Sequence, residues 1–461
     1  MNVSVHSDPG NNSPCTIHND IYSVKADWIN YLLNLFIWSL EHFINATTKA
    51  FKAFHGGFTG NVLDTNSTVD QVIDFSVHKI LPILNPLLST SFFRFFKVNL
   101  LKPCPFWKDD HHCSVKDCHV EDCKFEDLPI GLQNLELKKS IDCTNDDNPL
   151  GNLDHSMDER SKKNIEKWTH YDFKDEMNFC ERDDEDDTNS NYVDLIINPE
   201  RYTGYRGESA LRVWRSIYSE NCFNDKSISE TSPYSNLASG QCVEKRIFHN
   251  LISGLHTSIN IHLCYIYLMN SNTLQSLIGL HTNSETFEWG PNLEEFLSRF
   301  DPSSQAEGVT RIRNLYFLWT FHLRALKKAS NYLSEQTFYT GNKKEDERTK
   351  DRIIKLLNLI KSEKDFFHES ILYKSDPNDR EKLRLEYRDH FRNISKIMDC
   401  VGCDKCRLWG KVQTTGLGTA LKIIFSEIEG LNGDLNPDFR LDRTEIVSLI
   451  NSFGRISNST D

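Results

Sequence analysis

The run MDCVGCDKCRLWGKVQTTGLGTALKIIF, from Met398 to Phe425, sets Cys400, Cys403 and Cys406 three residues apart where an apolar, helix-patterned stretch begins. Sulfurs this close share a metal, form bridges or exchange electrons, and each choice obliges the rest of the chain to supply a matching partner. An iron–sulfur motif wants a further cysteine four positions after Cys406, and that position is Gly410. A zinc site needs a second pair of ligands. Cys113, Cys118 and Cys123 with His111, His112 and His119 could supply it, but cysteine intervals of five are not those of ribbons or knuckles. The other chemistry is that of a dithiol. Cys403 and Cys406 are close enough to form a small, reducible disulfide, at a helix start whose positive end favours a thiolate. A static bridge from Cys400, or from another of the three, to a distant cysteine competes with it.

A second cluster moves the balance. The stretch CPFWKDDHHCSVKDCHVEDC, from Cys104 to Cys123, has neither helical nor strand periodicity and reads as a charged surface loop. A dithiol there, Cys113 with Cys118, can carry electrons by exchange to a buried dithiol. Two dithiols in series form a relay, and a relay needs a terminal acceptor, because thiols hand electrons to oxygen slowly without a flavin or metal.

For such a cofactor, GLGTALK at Gly416 is no dinucleotide fingerprint: no strand precedes it and the third glycine is missing, so packing glycines in a helix are expected. By contrast NPERYTGYRGESALRVW concentrates Arg201, Thr203, Tyr205 and Trp214, and a later helix sets Ser253 and His256 three apart on one face. Cations, hydrogen bonders and an aromatic plate are what a dinucleotide needs. Near the C-terminus Asp434, Asn436, Asp438 and Glu445 imitate a calcium loop, but Phe439 stands where the sharp-turn glycine belongs; Asp442 and Glu445 read instead as a capping box.

With 66 acidic against 53 basic residues the net charge is −13, which argues against phosphate-backbone binding, so nucleic acid is not an expected partner. Thirteen cysteines, an odd count, leave at least one thiol unpaired or bridged between chains. Acceptor sequons at Asn2, Asn11, Asn45, Asn66, Asn393 and Asn458 give weak support for a secretory route. The apolar run from Trp28 to Leu40 is too short to span a bilayer, and Asp8, Asp20 and Asp27 make its upstream flank a poor signal peptide. Residues 1–70 read as an N-terminal extension, targeting or disordered, and residues 71–461 as one mainly α, helical-bundle domain with long loops. Residues 143–192 are polar and acidic and read as a solvated linker or disordered loop.

The segments KPCPFW, NPERYTGY, CVEKRIFHNLISGLHTSIN, RNLYFLW, MDCVGCDKCRLWGKVQTTGLGTALKI and EIVSLINSFGRIS together resemble the endoplasmic reticulum oxidoreductin family, from about residue 70 to 457. The resemblance implies a mostly helical, monomeric flavoenzyme of the endoplasmic reticulum lumen, soluble or peripheral on the membrane. Such an enzyme oxidises protein disulfide isomerase and passes the electrons through FAD to molecular oxygen, giving hydrogen peroxide. By motif, Cys403 and Cys406 resemble the inner dithiol, with Cys406 against the flavin, and Cys113 and Cys118 resemble the shuttle. Arg201, Thr203, Trp214, Ser253, His256, Arg299 and Arg311 match the FAD contacts. Cys104 with Cys400 and Cys222 with Cys242 match structural bridges, and Cys113 with Cys143 and Cys118 with Cys123 match regulatory ones. The four cysteines usual in the family's N-terminal segment are missing, with only Cys15 far upstream. Cys264 has no family counterpart and reads as a buried, inert thiol. The competing function is a zinc-stabilised or inactive protein-binding module with structural cysteines.

Overall fold

The structure is a computed structural model that describes residues 69–104, 106–107, 119–133, 179–180, 187–199, 208–220, 243–262, 265–269, 287–291, 296–297, 300, 306–369, 372, 379–426, 428–429, 434–435 and 439–460. The chain divides into two compact units, Met1–Gly56 and Gly57–Asp461, and every described residue lies in the second. The expectations for residues 1 to 68 therefore fall outside the described residues.

The described chain is mostly helical, as the patterning predicts. Helix α1 (Val69–Asp74) continues through a π-helical turn (Phe75–Ile80) into α2 (Leu81–Leu88), and α3 (Ser91–Arg94) leads into strand β1 (Phe95–Val98). Strand β2 (Asn191–Asp194) is followed by α4 (Glu208–Glu220), α5 (Val243–His262) and the strands β3 (Tyr265–Met269) and β4 (Phe287–Pro291). Then come α6 (Ala306–Lys328), α7 (Ser330–Glu335), α8 (Lys343–Ser362), α9 (Asp379–Met398), α10 (Asp404–Phe425), β5 (Ile428–Glu429), β6 (Asp434–Leu435) and α11 (Arg443–Ser459). Each sheet is a two-stranded antiparallel pair, β1 with β2, β3 with β4 and β5 with β6. In the first, Phe95 faces Asp194 and Val98 faces Asn191.

Burial separates the rim of the bundle from its centre. In α8, Asn342 caps the helix by accepting the Glu345 N–H, and one stripe, Thr349, Ile353, Leu356, Leu357 and Ile360, is buried under a charged outer face. In α10 nearly every residue from Lys405 to Phe425 is buried, and α11 is similar, so these two lie in the core and pack on each other. Helix α10 also packs on α6 and α9, α5 packs on α6 and α11, and α4 packs on α9. Trp319 of α6 meets Phe75 edge-on at 6.2 Å and Phe453 at 5.8 Å, and its indole N–H donates to Ser457 Oγ at 3.0 Å.

The glycines of the GLG motif permit close approaches to α10. A Cβ on Gly416 would lie 2.5 Å from the Ser448 carbonyl oxygen and against Ser452, and one on Gly418 would strike Cys180 Sγ and Phe391. The motif is helix packing. At the far end, Lys422 Nζ donates to both Glu445 carboxylate oxygens at 2.9 and 3.0 Å, and Glu445 Oε2 accepts the Asp442 N–H at 2.9 Å in a capping box. Burial pushes the Glu445 carboxyl up, and the Lys422 ammonium opposes that shift.

Two loop expectations need correction. The last part of the acidic stretch is structured: Phe179 is buried and stacks on Phe425 at 5.7 Å, Cys180 is buried, and β2 begins at Asn191. The N-terminal end of the cysteine loop is also interior, with Cys104, Phe106 and Trp107 all buried. Apolar rings and sulfurs set singly among charges carry no periodicity, so patterning passes over them.

Candidate active site

The turn from Asp399 to Cys403 joins α9 to α10 and is built around its cysteines. Cys400 is bonded to Cys104, 296 residues away in sequence, with their Cα atoms 4.5 Å apart. Cys403 is the N-cap of α10, and its sulfur accepts the Cys406 N–H at 3.5 Å. Both sulfurs therefore lie at the positive end of a long helix, where an anion is stabilised. Cys403 and Cys406 are 3% and 1% exposed, so an attacking group cannot reach them from bulk water without displacing the residues that cover them. Cys403 is disulfide-bonded while Cys406 carries a thiol, so the two are not bonded to each other. The partner of Cys403 lies outside the described residues.

The cover is fastened by hydrogen bonds. The Arg407 guanidinium donates to the Val401 carbonyl at 2.9 Å and to the Leu100 carbonyl, tying the cysteine turn to the segment leaving β1. The Trp409 indole N–H donates to the Asn198 carbonyl at 2.6 Å, just beyond β2. Asp122 bridges to Val193 of β2, the Cys123 N–H donates to the Tyr192 carbonyl at 2.9 Å, and His119 Nδ1 lies 4.0 Å from Asp404 Oδ2. The chain emerging from Cys118 thus runs past the first turn of α10. Cys123 carries a thiol beside Phe95, Leu128, Leu132 and Tyr192. Burial pushes that thiol up to about 12, with Asp194 adding to the shift and Arg94 opposing it.

A second set of side chains gathers on α4, α5 and α6. Trp214 of α4 stacks on His256 of α5 with ring centroids 3.9 Å apart and planes at 18°. The Tyr218 hydroxyl meets His256 Nδ1 at 3.1 Å, and its ring stands 6.1 Å from that of His249. Ser253 Oγ accepts from Asn314 Nδ2 of α6 at 2.9 Å. Arg311 and Arg313 of α6 are half-buried, and burial lowers the Arg313 guanidinium and the His249 imidazole. Arg212 of α4 lies over the Trp107 ring at 5.8 Å, and the Trp107 N–H donates to Cys104 Sγ at 3.2 Å, so this wall adjoins the cysteine turn.

The donor set fits an anionic dinucleotide. It offers aromatic faces and cations, and Trp107 Nε1 and Arg246 Nε are buried donors without an acceptor. Trp214 and His256 are in direct contact, so a planar ligand would stack on an outer face of the pair rather than between them. Arg246 and His249 went unnoticed in the sequence. Their signal is the spacing 246, 249, 253, 256, which puts them on the face of α5 that carries Ser253 and His256. Among the expected site residues, Arg201, Thr203, Arg299, Cys113, Cys118, Cys143, Cys222 and Cys242 lie outside the described residues, as do Cys15 and Cys264. Zinc loses two of its candidate ligands, because Cys400 and Cys403 are oxidised, and no group of three or more potential metal ligands occurs among the described residues.

The sequence profile of the family described as Endoplasmic Reticulum Oxidoreductin 1 (ERO1) matches residues 79–461. The chain belongs to the ERO1 family. It is 43% identical to mouse ERO1-like protein alpha over 422 residues, covering 87% of this chain and 88% of that one. It is also 43% identical to the Drosophila melanogaster Ero1-like protein over 434 residues, 87% of each chain. A double cysteine-to-alanine mutant of Ero1p, solved by crystallography, superposes with a TM-score of 0.53 at 28% identity, covering 86% of this chain and 96% of that one. Another Ero1p structure, described as a source of disulfide bonds for oxidative protein folding in the cell, superposes at 0.54 with 24% identity, a likeness of fold. The chain is therefore a mostly helical member of the ERO1 family, with the cysteine turn of α10 in its core.

Proposed function

We propose that this ERO1-family chain is a thiol oxidase of the endoplasmic reticulum lumen that makes disulfides in a thioredoxin-like protein disulfide isomerase. The observation that supports it most is the state of the α10 cysteines: Cys403 disulfide-bonded elsewhere and Cys406 a thiol beside it. Such a state arises midway through exchange between two dithiols. The isomerase thiolate attacks the Cys113–Cys118 bridge, and its second thiol resolves the mixed disulfide, so the isomerase leaves oxidised and the shuttle reduced. A shuttle thiolate then attacks Cys403 Sγ and expels Cys406 as a thiolate at the α10 N-terminus. The second shuttle thiol attacks the mixed bond, remaking Cys113–Cys118 and leaving Cys403 and Cys406 reduced, with two electrons and two protons moved inward.

Arg201, Thr203, Trp214, Ser253, His256, Arg299 and Arg311 would hold FAD. When bound, FAD supplies the two-electron acceptor whose reoxidation by molecular oxygen gives hydrogen peroxide. Cys222–Cys242 would be a structural bridge, and Cys113–Cys143 and Cys118–Cys123 would lock the shuttle. The thiol on Cys123 corresponds to the open form of the second lock.

The test is a visible absorption spectrum of the purified protein before and after anaerobic addition of a reduced thioredoxin-like isomerase. Flavin bands that bleach and then return in air are expected. A colourless protein with stoichiometric zinc would overturn the reading, and a yellow protein that never bleaches would overturn the shuttle assignment.

A further inference from the structure

Asn198, the first residue of NPERYTGY, takes no part in the chemistry above, yet it is 0% exposed and its carboxamide is fully engaged. Its Oδ1 accepts the Glu121 N–H at 2.9 Å, and its Nδ2 donates to the Glu121 and Asp194 carbonyls, each at 3.0 Å. An amide that takes both backbone groups of one residue pairs with it as a neighbouring strand would. It fixes where that residue sits and which way its peptides face. The turn presenting Asn198 is itself held. Asp194 Oδ2 accepts from Arg94 Nε at 2.6 Å, Asp194 Oδ1 accepts the Ile196 N–H at 2.8 Å, and the Asn198 N–H donates to the Asp194 carbonyl at 3.2 Å.

The clamp joins two pieces of chain that the proposed relay must bring together. On one side, Glu121 is three residues after Cys118, and Asp122 and Cys123 continue the pairing along β2. On the other, the Asn198 backbone carbonyl accepts the Trp409 indole N–H at 2.6 Å, and Trp409 is three residues after Cys406, on the same side of α10. The arm reaches the cysteine turn: His119 Nδ1, one residue after Cys118, lies 4.0 Å from Oδ2 of Asp404, one residue after Cys403. Those two side chains are 85% and 39% exposed, so their contact records where the arm lies without holding it there. Holding falls to Asn198, with Val120 buried beside it. We infer that Asn198 is a positioning residue for exchange between the two dithiols: it clamps the arm that follows Cys118 to the helix that carries Cys406. This rests on the thiol-oxidase reading.

Covalent geometry sets the size of the effect. With Glu121 fixed, Cys118 lies within about 11 Å of chain from an anchor. Without the clamp the next backbone bond is at Cys123, about 18 Å of chain away. The volume open to Cys118 then grows about fivefold, and its effective concentration at Cys403 falls by that factor.

The test mixes the oxidised full-length protein anaerobically with a reduced thioredoxin-like isomerase. Two electrons and two protons pass from the isomerase dithiol to the Cys113–Cys118 bridge, then from that dithiol to the Cys403–Cys406 bridge. Acid quench, alkylation and mass spectrometry of the two cysteine peptides time the steps separately. Asn198→Ala removes the carboxamide and keeps the carbonyl that Trp409 uses. Shuttle thiols should appear at the wild-type rate, inner thiols about fivefold more slowly, and the final ratio should not change. Asn342→Ala, which removes the α8 cap, should lower stability and leave both rates alone. A merely structural role would slow both steps alike, and that result overturns the inference. So does an unchanged inner rate, which would show that Val120 seats the arm by itself, or a shifted final ratio. If Asn198→Ala does not fold, Glu121→Pro carries the test, because it deletes the N–H that Asn198 Oδ1 accepts at an exposed position. The same separation of rates is expected, and its absence overturns the inference. A wild-type protein whose Cys403 and Cys406 are never reduced would instead overturn the thiol-oxidase reading itself.

Discussion

His322 shows how far one interior position can set the response to pH. It is fully buried in α6, its Nδ1 lies 3.0 Å from the Leu318 carbonyl, and its Nε2 has no hydrogen-bond partner. The Leu318 carbonyl only accepts, so Nδ1 carries a proton, and burial lowers the pKa to about 4 against 6.5 for the free side chain, which leaves the ring neutral at pH 7. A folded pKa below the unfolded one gives stability that is complete above pH 6.5 and is lost as pH falls toward 4. Between pH 7.5 and pH 5 the loss should be about 2 kcal/mol, and His322→Met should remove that component from urea melts at the two pH values. Cys123 is the contrasting case. With its pKa pushed up to about 12 it stays a thiol at neutral pH, so its alkylation should be on the order of a hundredfold slower in the folded protein than after denaturation. Mass spectrometry of the labelled Cys123 peptide measures that ratio. Neither property was legible in the sequence, because a pKa depends on neighbours such as Asp194 and Arg94 that lie far away along the chain.

Among the helices, α10 joins the cysteine turn to the architecture: its N-cap and first turn carry Cys403 and Cys406, and its middle is a close crossing with α11. The sequence pointed to both uses, reading GLG as packing glycines and Cys403 as a helix-start residue, and it also marked the Asp442–Glu445 capping box of α11. Gly416→Ala tests the crossing. Alanine gains about 1 kcal/mol of helix propensity, but its methyl group would press on the Ser448 carbonyl and the Ser452 hydroxyl. Overpacking against backbone costs more than propensity returns, so a net loss of about 1–3 kcal/mol is expected in the urea midpoint, with the helical content of the folded state unchanged. The aromatic wall of α4 and α5 was only half legible. Trp214, Ser253 and His256 were identified, while Arg246 and His249 share the same helical face without belonging to any motif.

For the molecule as a whole, the Cys104–Cys400 bridge ties the segment after β1 to the turn before α10. Because it closes a span of 296 residues, Cys104→Ala/Cys400→Ala should cost about 2–5 kcal/mol in thermal denaturation and should speed hydrogen exchange at Leu100 and Val401 together. Unchanged exchange at both would show that Arg407 alone holds the cover. The sequence by itself determined the helical class, from apolar spacing along α5, α6, α9 and α10, and the family, from segments whose order and length leave little freedom. It also singled out Cys403 and Cys406 as candidates for thiol chemistry, since sulfurs three residues apart at a helix start have few uses. Only the tertiary structure decided that Phe179 and Cys180 of an acidic stretch are core, that Asn198 pairs with the backbone of Glu121, and that Cys403 and Cys406 are not bonded to each other. The division has a physical reason. Periodicity and helix ends are local properties of a few turns of chain, whereas burial, charge pairing and disulfide exchange depend on which distant residues the bundle brings within a few ångströms.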